Sequence, residues 1–308
     1  MNKSLQINSV VCSPSAVGGG VKSLYSVCEW LSQVGNSRIS PLWASHLAFW
    51  FEHRCKPYDY SFLPDVLIYP EVEQPHYDFI KYHICFALGQ FAPIKPHADL
   101  VVCKSPAILS WVKQQHQEMP TALIAPSIDR SIFEYDGRPK KNQICYMTRP
   151  NKQPEIAQKL RQRYGDKLVE IVNFTEPQVA EALKDARVFV WVGAETEGSP
   201  RPPKEALVAG CVVVGLKSDL RPDYHVDFGI KCSSLDELIE MAGEALTLPV
   251  PSIEERAVVR DKKEEMGDWL ALINSLTPNL GVATQRGRSA FKRIERGSRG
   301  QTAISGHR

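Results

Sequence analysis

Residues 188–215 read VFVWVGAETEGSPRPPKEALVAGCVVVG. A near-continuous apolar run, 188–192, gives way to a polar turn that holds Glu197. Pro202-Pro203 then opens a helical stretch, and Gly210 precedes a second apolar run, 211–215. Proline is tolerated in a first helical turn because the amide hydrogen it lacks would be unpaired there anyway. Two apolar strands joined by one helix make a βαβ unit, and strands apolar on both faces belong to a parallel sheet covered on both sides. In such sheets ligands bind outside the carboxyl ends of the strands. Glu197, in the turn, and Glu205, early in the helix, therefore border the expected ligand crevice.

The same alternation extends outward in both directions. Apolar, β-branched runs at 7–12, 66–69, 100–103, 122–125, 144–147 and 168–172 predict further strands, and amphipathic stretches at 21–34, 105–117, 155–164 and 176–184 predict helices between them. Thr175-x-x-Gln178, Ser234-x-x-Glu237 and Ser252-x-x-Glu255 read as capping boxes. The fold class is α/β. A chain of 308 residues is long enough for two lobes, each with its own core. Residues 126–142 have linker composition, which divides the chain into an N-terminal domain (1–130) and a C-terminal domain (131–250). A terminal amphipathic helix (251–276) and a basic tail (277–308) follow. In 46–98, prolines and dense aromatics obscure the period, and beyond the 66–69 run no element is assigned there.

With 43% hydrophobic and 23% charged residues, the composition is globular. Residues 277–308 carry a net +6, which leaves −4 on residues 1–276 against a total of +2. An acidic body argues against a nucleic-acid partner. The Gly-, Ser- and Arg-rich tail reads as a solvated extension, with weak contact to an anionic membrane surface as its second use. The eight cysteines lack C-x-x-C spacing and read as buried reduced thiols, so no metal is assigned. The opening MNKSLQINSVV has no long apolar core of a signal peptide, and no apolar run reaches the ~20 residues that span a bilayer. The expected location is the cytoplasm, peripheral at most to the inner membrane face.

Gly18-Gly19-Gly20 follows the first strand and precedes a helix, offering free amides to a phosphate or a sugar hydroxyl. A dinucleotide fingerprint needs a third glycine where Ser23 stands and an acid on the next strand. A P-loop fails by spacing at Gly20-Val21-Lys22-Ser23. Neither a dehydrogenase nor a P-loop ATPase is favoured.

The pattern E-G-x-x-x-P-P-x-E-A-x-x-x-G, carried by Glu197, Gly198, Pro202, Pro203, Glu205, Ala206 and Gly210, resembles the E-x7-E signature of retaining GT-B glycosyltransferases, in particular glycosyltransferase family 4. Gly18–Gly20 resembles that family's N-terminal loop. ALIAPSIDRSIF, with Ile128, Asp129 and Phe133, is similar to its hinge stretch, and ICYMTRPNK to the strand whose end supplies a diphosphate-binding Arg and Lys, here Arg149 and Lys152. Two departures stand out: Ser199-Pro200-Arg201 replaces the usual F-G-L, and the Arg-to-Lys spacing is three residues.

The resemblance implies two Rossmann-like domains whose parallel sheets face an interdomain cleft. It implies metal-independent transfer of a sugar, with retention, from a UDP- or GDP-type nucleotide diphosphate sugar to a glycan, lipid-linked or other hydroxyl acceptor, in polysaccharide or glycoconjugate synthesis. No cofactor beyond the donor is implied. Glu197 would bond the donor sugar, Glu205 the ribose, and Arg149 with Lys152 the diphosphate. Gly18–Gly20, Pro202 and Pro203 would line the donor site. An N-terminal histidine often stands near the reacting sugar in the family; His83 and His97 are the candidates, His83 being carried forward, although neither lies in a matching motif and a structural histidine is the plainer reading. The alternative function is a non-catalytic sugar-nucleotide-binding or scaffold protein of the same fold.

Overall fold

A computed structural model describes residues 7–15, 18–43, 46–147, 154–193, 198–220 and 228–276. They form two wholly parallel sheets. The first contains β1 (Ile7–Pro14), β2 (Gly35–Leu42), β3 (Val66–Pro70), β4 (Tyr82–Ala87), β5 (Leu100–Cys103) and β6 (Thr121–Leu123), in the order β2-β1-β3-β4-β5-β6. The second contains β7 (Lys141–Met147), β8 (Leu168–Ile171), β9 (Ala186–Trp191), β10 (Val212–Leu216) and β11 (Ile230–Cys232), in the order β11-β10-β9-β7-β8. The apolar strands are buried on both faces because helices cover each side, as parallel crossovers require.

On one face of the first sheet, α1 (Gly19–Leu31) packs Leu24, Val27 and Trp30 onto Val11, Ile39 and Ile68. On the other, α2 (Pro106–Gln115) adds Ile108 and Val112 to the cluster around Leu67, Tyr69 and Val101. The second sheet is sandwiched between α5 (Glu176–Asp185) with α6 (Pro202–Val208), and α4 (Pro154–Tyr164) with α7 (Leu235–Glu244). Ser234 and Ser252 cap their helices as the sequence predicts, accepting from the Glu237 and Glu255 amides at 3.2 Å each, while Gln178 accepts from the Thr175 amide at 2.8 Å.

The stretch after 250 departs from one continuous helix. It forms α8 (Ile253–Ala257) and α9 (Lys262–Leu276), and the chain crosses between the lobes in the break. Val259 is buried with the second sheet's core, whereas Trp269, Ile273 and Leu276 are buried with the first sheet's. A straight helix cannot serve both cores. Asp261 restarts the helix, its side chain accepting from the Lys263 amide at 3.0 Å and its own amide donating to Glu264 at 2.7 Å. At the crossing Ile128 bridges to Asp261, so two chain passages run side by side. The linker stretch is also more ordered than its composition suggests, since it holds α3 (Arg130–Phe133), whose Phe133 enters the second core.

Candidate functional site

The stretches that follow β1, β4, β5 and β9 meet between the lobes. From β1 the chain reaches α1, with Gly18–Gly20 at its N-terminus. A Cβ on Gly20 would stand 3.0 Å from Leu88 Cδ1, just past β4, and one on Gly19 would stand 3.2 Å from Arg201 Cδ. Across the gap, Gly198 lies against the Leu88 carbonyl and Ile108. The glycine turn of one lobe and the Gly198–Glu205 stretch of the other are thus in contact.

Every residue of α6 is buried. Arg201 stands at its N-cap, and the Arg201 carbonyl accepts from the Lys204 and Glu205 amides at 2.9 Å each. Pro202 and Pro203 occupy the first turn, as the sequence predicts. The Arg201 Nε lies 3.6 Å from Glu205 Oε1, and the two side chains are only 6% and 10% exposed. Glu205 therefore sits in the cleft, held in an ion pair. Lys204 donates to Ser199 Oγ at 2.6 Å. Burial, reinforced by Lys104 and Arg201, pushes the Lys204 ammonium down to about 7. From the facing lobe, Lys22 on α1 pairs with Glu176 at the start of α5, and burial followed by the Arg201 charge pushes it down to about 7.

Arg149, Lys152 and Glu197 lie outside the described residues. His83 does not join the cleft. It is the second residue of β4, four residues and therefore about 13 Å before the end that meets Gly20. Its Nε2 accepts from the Tyr77 amide at 3.2 Å, its Nδ1 faces Asp99 at 3.6 Å, and its ring packs with those of His76 and His97 at 4.9 and 6.1 Å between centroids. Both nitrogens are engaged and the ring is buried, so packing in the strand accounts for it.

Three groups at the cleft escape sequence reasoning. Glu71, directly after β3, is buried and accepts from the Leu88 and Gly89 amides at 2.9 and 2.7 Å, fixing the turn that touches Gly20 and Gly198. Burial nevertheless pushes its carboxyl up to about 7. An acid placed immediately after an apolar strand was the available signal. Glu265 on α9 accepts from Ser127 N at 2.8 Å and Ser127 Oγ at 2.6 Å, tying the terminal helix to the crossing. The third is the Lys22–Glu176 pair. Between these last two features lies a cavity of about 40 Å³, lined by Lys22, Ser26, Ser127, Glu176, Arg201 and Glu265 among others. That volume suits one or two waters.

No protein-family model matches the sequence, and no curated protein matches it. Solved structures do. AviGT4, a glycosyltransferase involved in avilamycin A biosynthesis, shares 13% identity over 88% of this chain and 98% of its own, with a TM-score of 0.60. Anabaena Alr3699/HepE in complex with UDP-glucose shares 10% identity over 88% and 100%, with a TM-score of 0.61. A glycosyltransferase from Rickettsia africae shares 10% identity over 94% and 99%, with a TM-score of 0.55. At such identities the likeness is one of architecture, and the chain has the GT-B fold of two Rossmann-like domains with parallel sheets.

Proposed function

We propose that the protein is a glycosyltransferase that moves a sugar from a UDP- or GDP-type nucleotide diphosphate sugar to a hydroxyl acceptor with retention, in polysaccharide or glycoconjugate synthesis. The observation that carries this reading is the meeting, between the lobes, of Gly19 in the glycine turn with Arg201, which is itself paired with Glu205. A GT-B neighbour that holds UDP-glucose supports the donor class.

Breaking the anomeric bond places negative charge on the departing diphosphate and positive character on the sugar ring. Cationic side chains can meet the leaving charge without a metal. Arg149 and Lys152 take that role in the proposal, with Arg201 beside them, and losing one preorganised donor costs about 3 kcal/mol, or roughly 100-fold in rate. Glu205 accepts from the ribose hydroxyls and Glu197 from the donor sugar, since ionised carboxylates only accept. The acceptor, a glycan, a lipid-linked sugar or another hydroxyl compound, lies toward the first lobe. The location proposed is cytoplasmic, with the basic tail in weak contact with an anionic membrane surface.

The Arg201–Glu205 ion pair favours a second reading, a non-catalytic binder or scaffold, because the carboxylate meant for the ribose already has a partner. Incubation with nucleotide sugars and an acceptor panel separates the two. Transfer or donor hydrolysis supports the enzyme, whereas binding without either supports the scaffold.

A further inference from the structure

Seven of the eight cysteines are buried; Cys55 is only partly buried. It lies in a segment that runs along the outer edge of the first sheet, where Ile39 donates to the Lys56 carbonyl at 2.9 Å and accepts from the Tyr58 amide at 2.7 Å. Ile39 and Pro57 form a parallel bridge. Stepping back two residues along each strand brings Ser37 beside Cys55, on the face covered by α1. Ser37 Oγ donates to Cys28 Sγ on α1 at 3.4 Å, and Cys55 Sγ donates to the Tyr25 carbonyl, one turn earlier on the same helix, at 3.3 Å. Cys28 and Cys55 are therefore two thiols converging under one helix from sequence positions 27 apart. The closeness of the two thiols pulls Cys28 down and, together with burial, pushes Cys55 up. Burial pushes the other six thiols up.

We propose that Cys28 and Cys55 are a reversible oxidation site that closes to a disulfide with a hydroperoxide or a small-molecule disulfide, cross-linking α1 to the 46–58 segment. Cys55, the more accessible of the two, reacts first. With hydrogen peroxide its sulfur takes one oxygen to become a sulfenic acid, releasing one water. The Cys28 thiol then attacks the Cys55 sulfur and forms the S–S bond, and its proton joins the departing hydroxide as a second water. Two thiols and one peroxide give one disulfide and two waters. With oxidised glutathione, Cys55 forms the mixed disulfide and Cys28 expels the second glutathione. The cross-link would act on the cleft's neighbourhood, because α1 carries Gly19 and Lys22, and the Trp50 carbonyl in the linked segment accepts from the Glu176 amide of the other lobe at 3.4 Å.

The test treats the full-length protein with hydrogen peroxide or oxidised glutathione and follows intact mass, free-thiol titration under denaturant and peptide mapping. The expected result is loss of two hydrogen masses, a fall from eight titratable thiols to six, one linked peptide joining residues 28 and 55, and recovery with dithiothreitol. With oxidised glutathione, Cys28→Ser should stop at a stable glutathionyl adduct on Cys55, and Cys55→Ser should show neither adduct nor cross-link. Eight thiols surviving in folded protein, or a cross-link mapping to another pair, overturns the proposal. The readout is covalent, so it stands apart from the transferase reading.

Discussion

Gly198 lies so close to the Leu88 carbonyl that a Cβ there would fall 2.6 Å from the oxygen, with Ile108 Cγ1 at 2.8 Å. The first obstacle is main chain and cannot rotate away. Gly198→Ala must therefore separate the lobes or strain them, at about 1–3 kcal/mol. Denaturant unfolding should show that loss, and small-angle scattering a larger radius of gyration than the wild type. Unchanged values of both would mean that the contact is not held in solution.

Within α6, Glu205→Gln removes the charge facing Arg201 and weakens acceptance from a ribose. Donor affinity should fall at least tenfold, about 1.4 kcal/mol, by calorimetric titration. Arg201→Ala should also weaken it if Arg201 meets the diphosphate. A rise in affinity instead would show that Arg201 blocks the ribose position, which favours the scaffold reading.

The buried Lys204 predicts a pH signature. Its folded value, about 7, lies below the ordinary 10.5, so between these limits the unfolded chain binds the extra proton and stability rises with pH. One full proton corresponds to about 1.4 kcal/mol per pH unit. Lys204→Met removes this contribution. Between pH 7 and 8.5 its stability should rise less steeply than that of the wild type, by up to that slope, the thiols titrating alike in both proteins. Parallel pH profiles would contradict the buried-lysine account.

Strand positions and helix caps are legible in the sequence because each rests on local chemistry. Leu100–Cys103 is an uninterrupted apolar run, and Ser252 with Glu255 satisfies a helix end within one turn. Strand β4 was missed because Tyr82 and His83 interrupt its apolar run and the preceding 71–81 segment is held by buried side chains, with Gln74 donating to the Glu71 and Pro93 carbonyls at 2.7 Å each. The capping by Asp261 and Glu264 was hidden by reading one helix through it. In the site, the glycine turn and Glu205 followed from the rule that ligands gather at strand ends. The burial of Lys204 and the pairing of Arg201 depend on the opposing lobe, so nothing local announces them.

His83→Gln tests a correction that the fold makes. A residue embedded with Tyr77, Asp99, His76 and His97 should cost stability when replaced, about 1–3 kcal/mol, and change kcat less than threefold. A large kcat loss in a fully stable variant would return it to the reaction.

Trp269 carries α9 back to the first lobe, its ring edge-on to Phe86 at 5.0 Å between centroids. Trp269→Ala should cost about 3–5 kcal/mol by denaturant unfolding. Truncation after Leu276 removes none of that contact and should leave donor affinity unchanged, while lowering retention on anionic vesicles.

The most direct measurement is a calorimetric titration of wild type, Arg149→Ala and Glu205→Gln with UDP- and GDP-sugars at near-neutral pH. The account predicts saturable binding of at least one donor by the wild type, weakened at least tenfold in both variants. Absence of binding across the panel, or equal affinity in all three proteins, would contradict it.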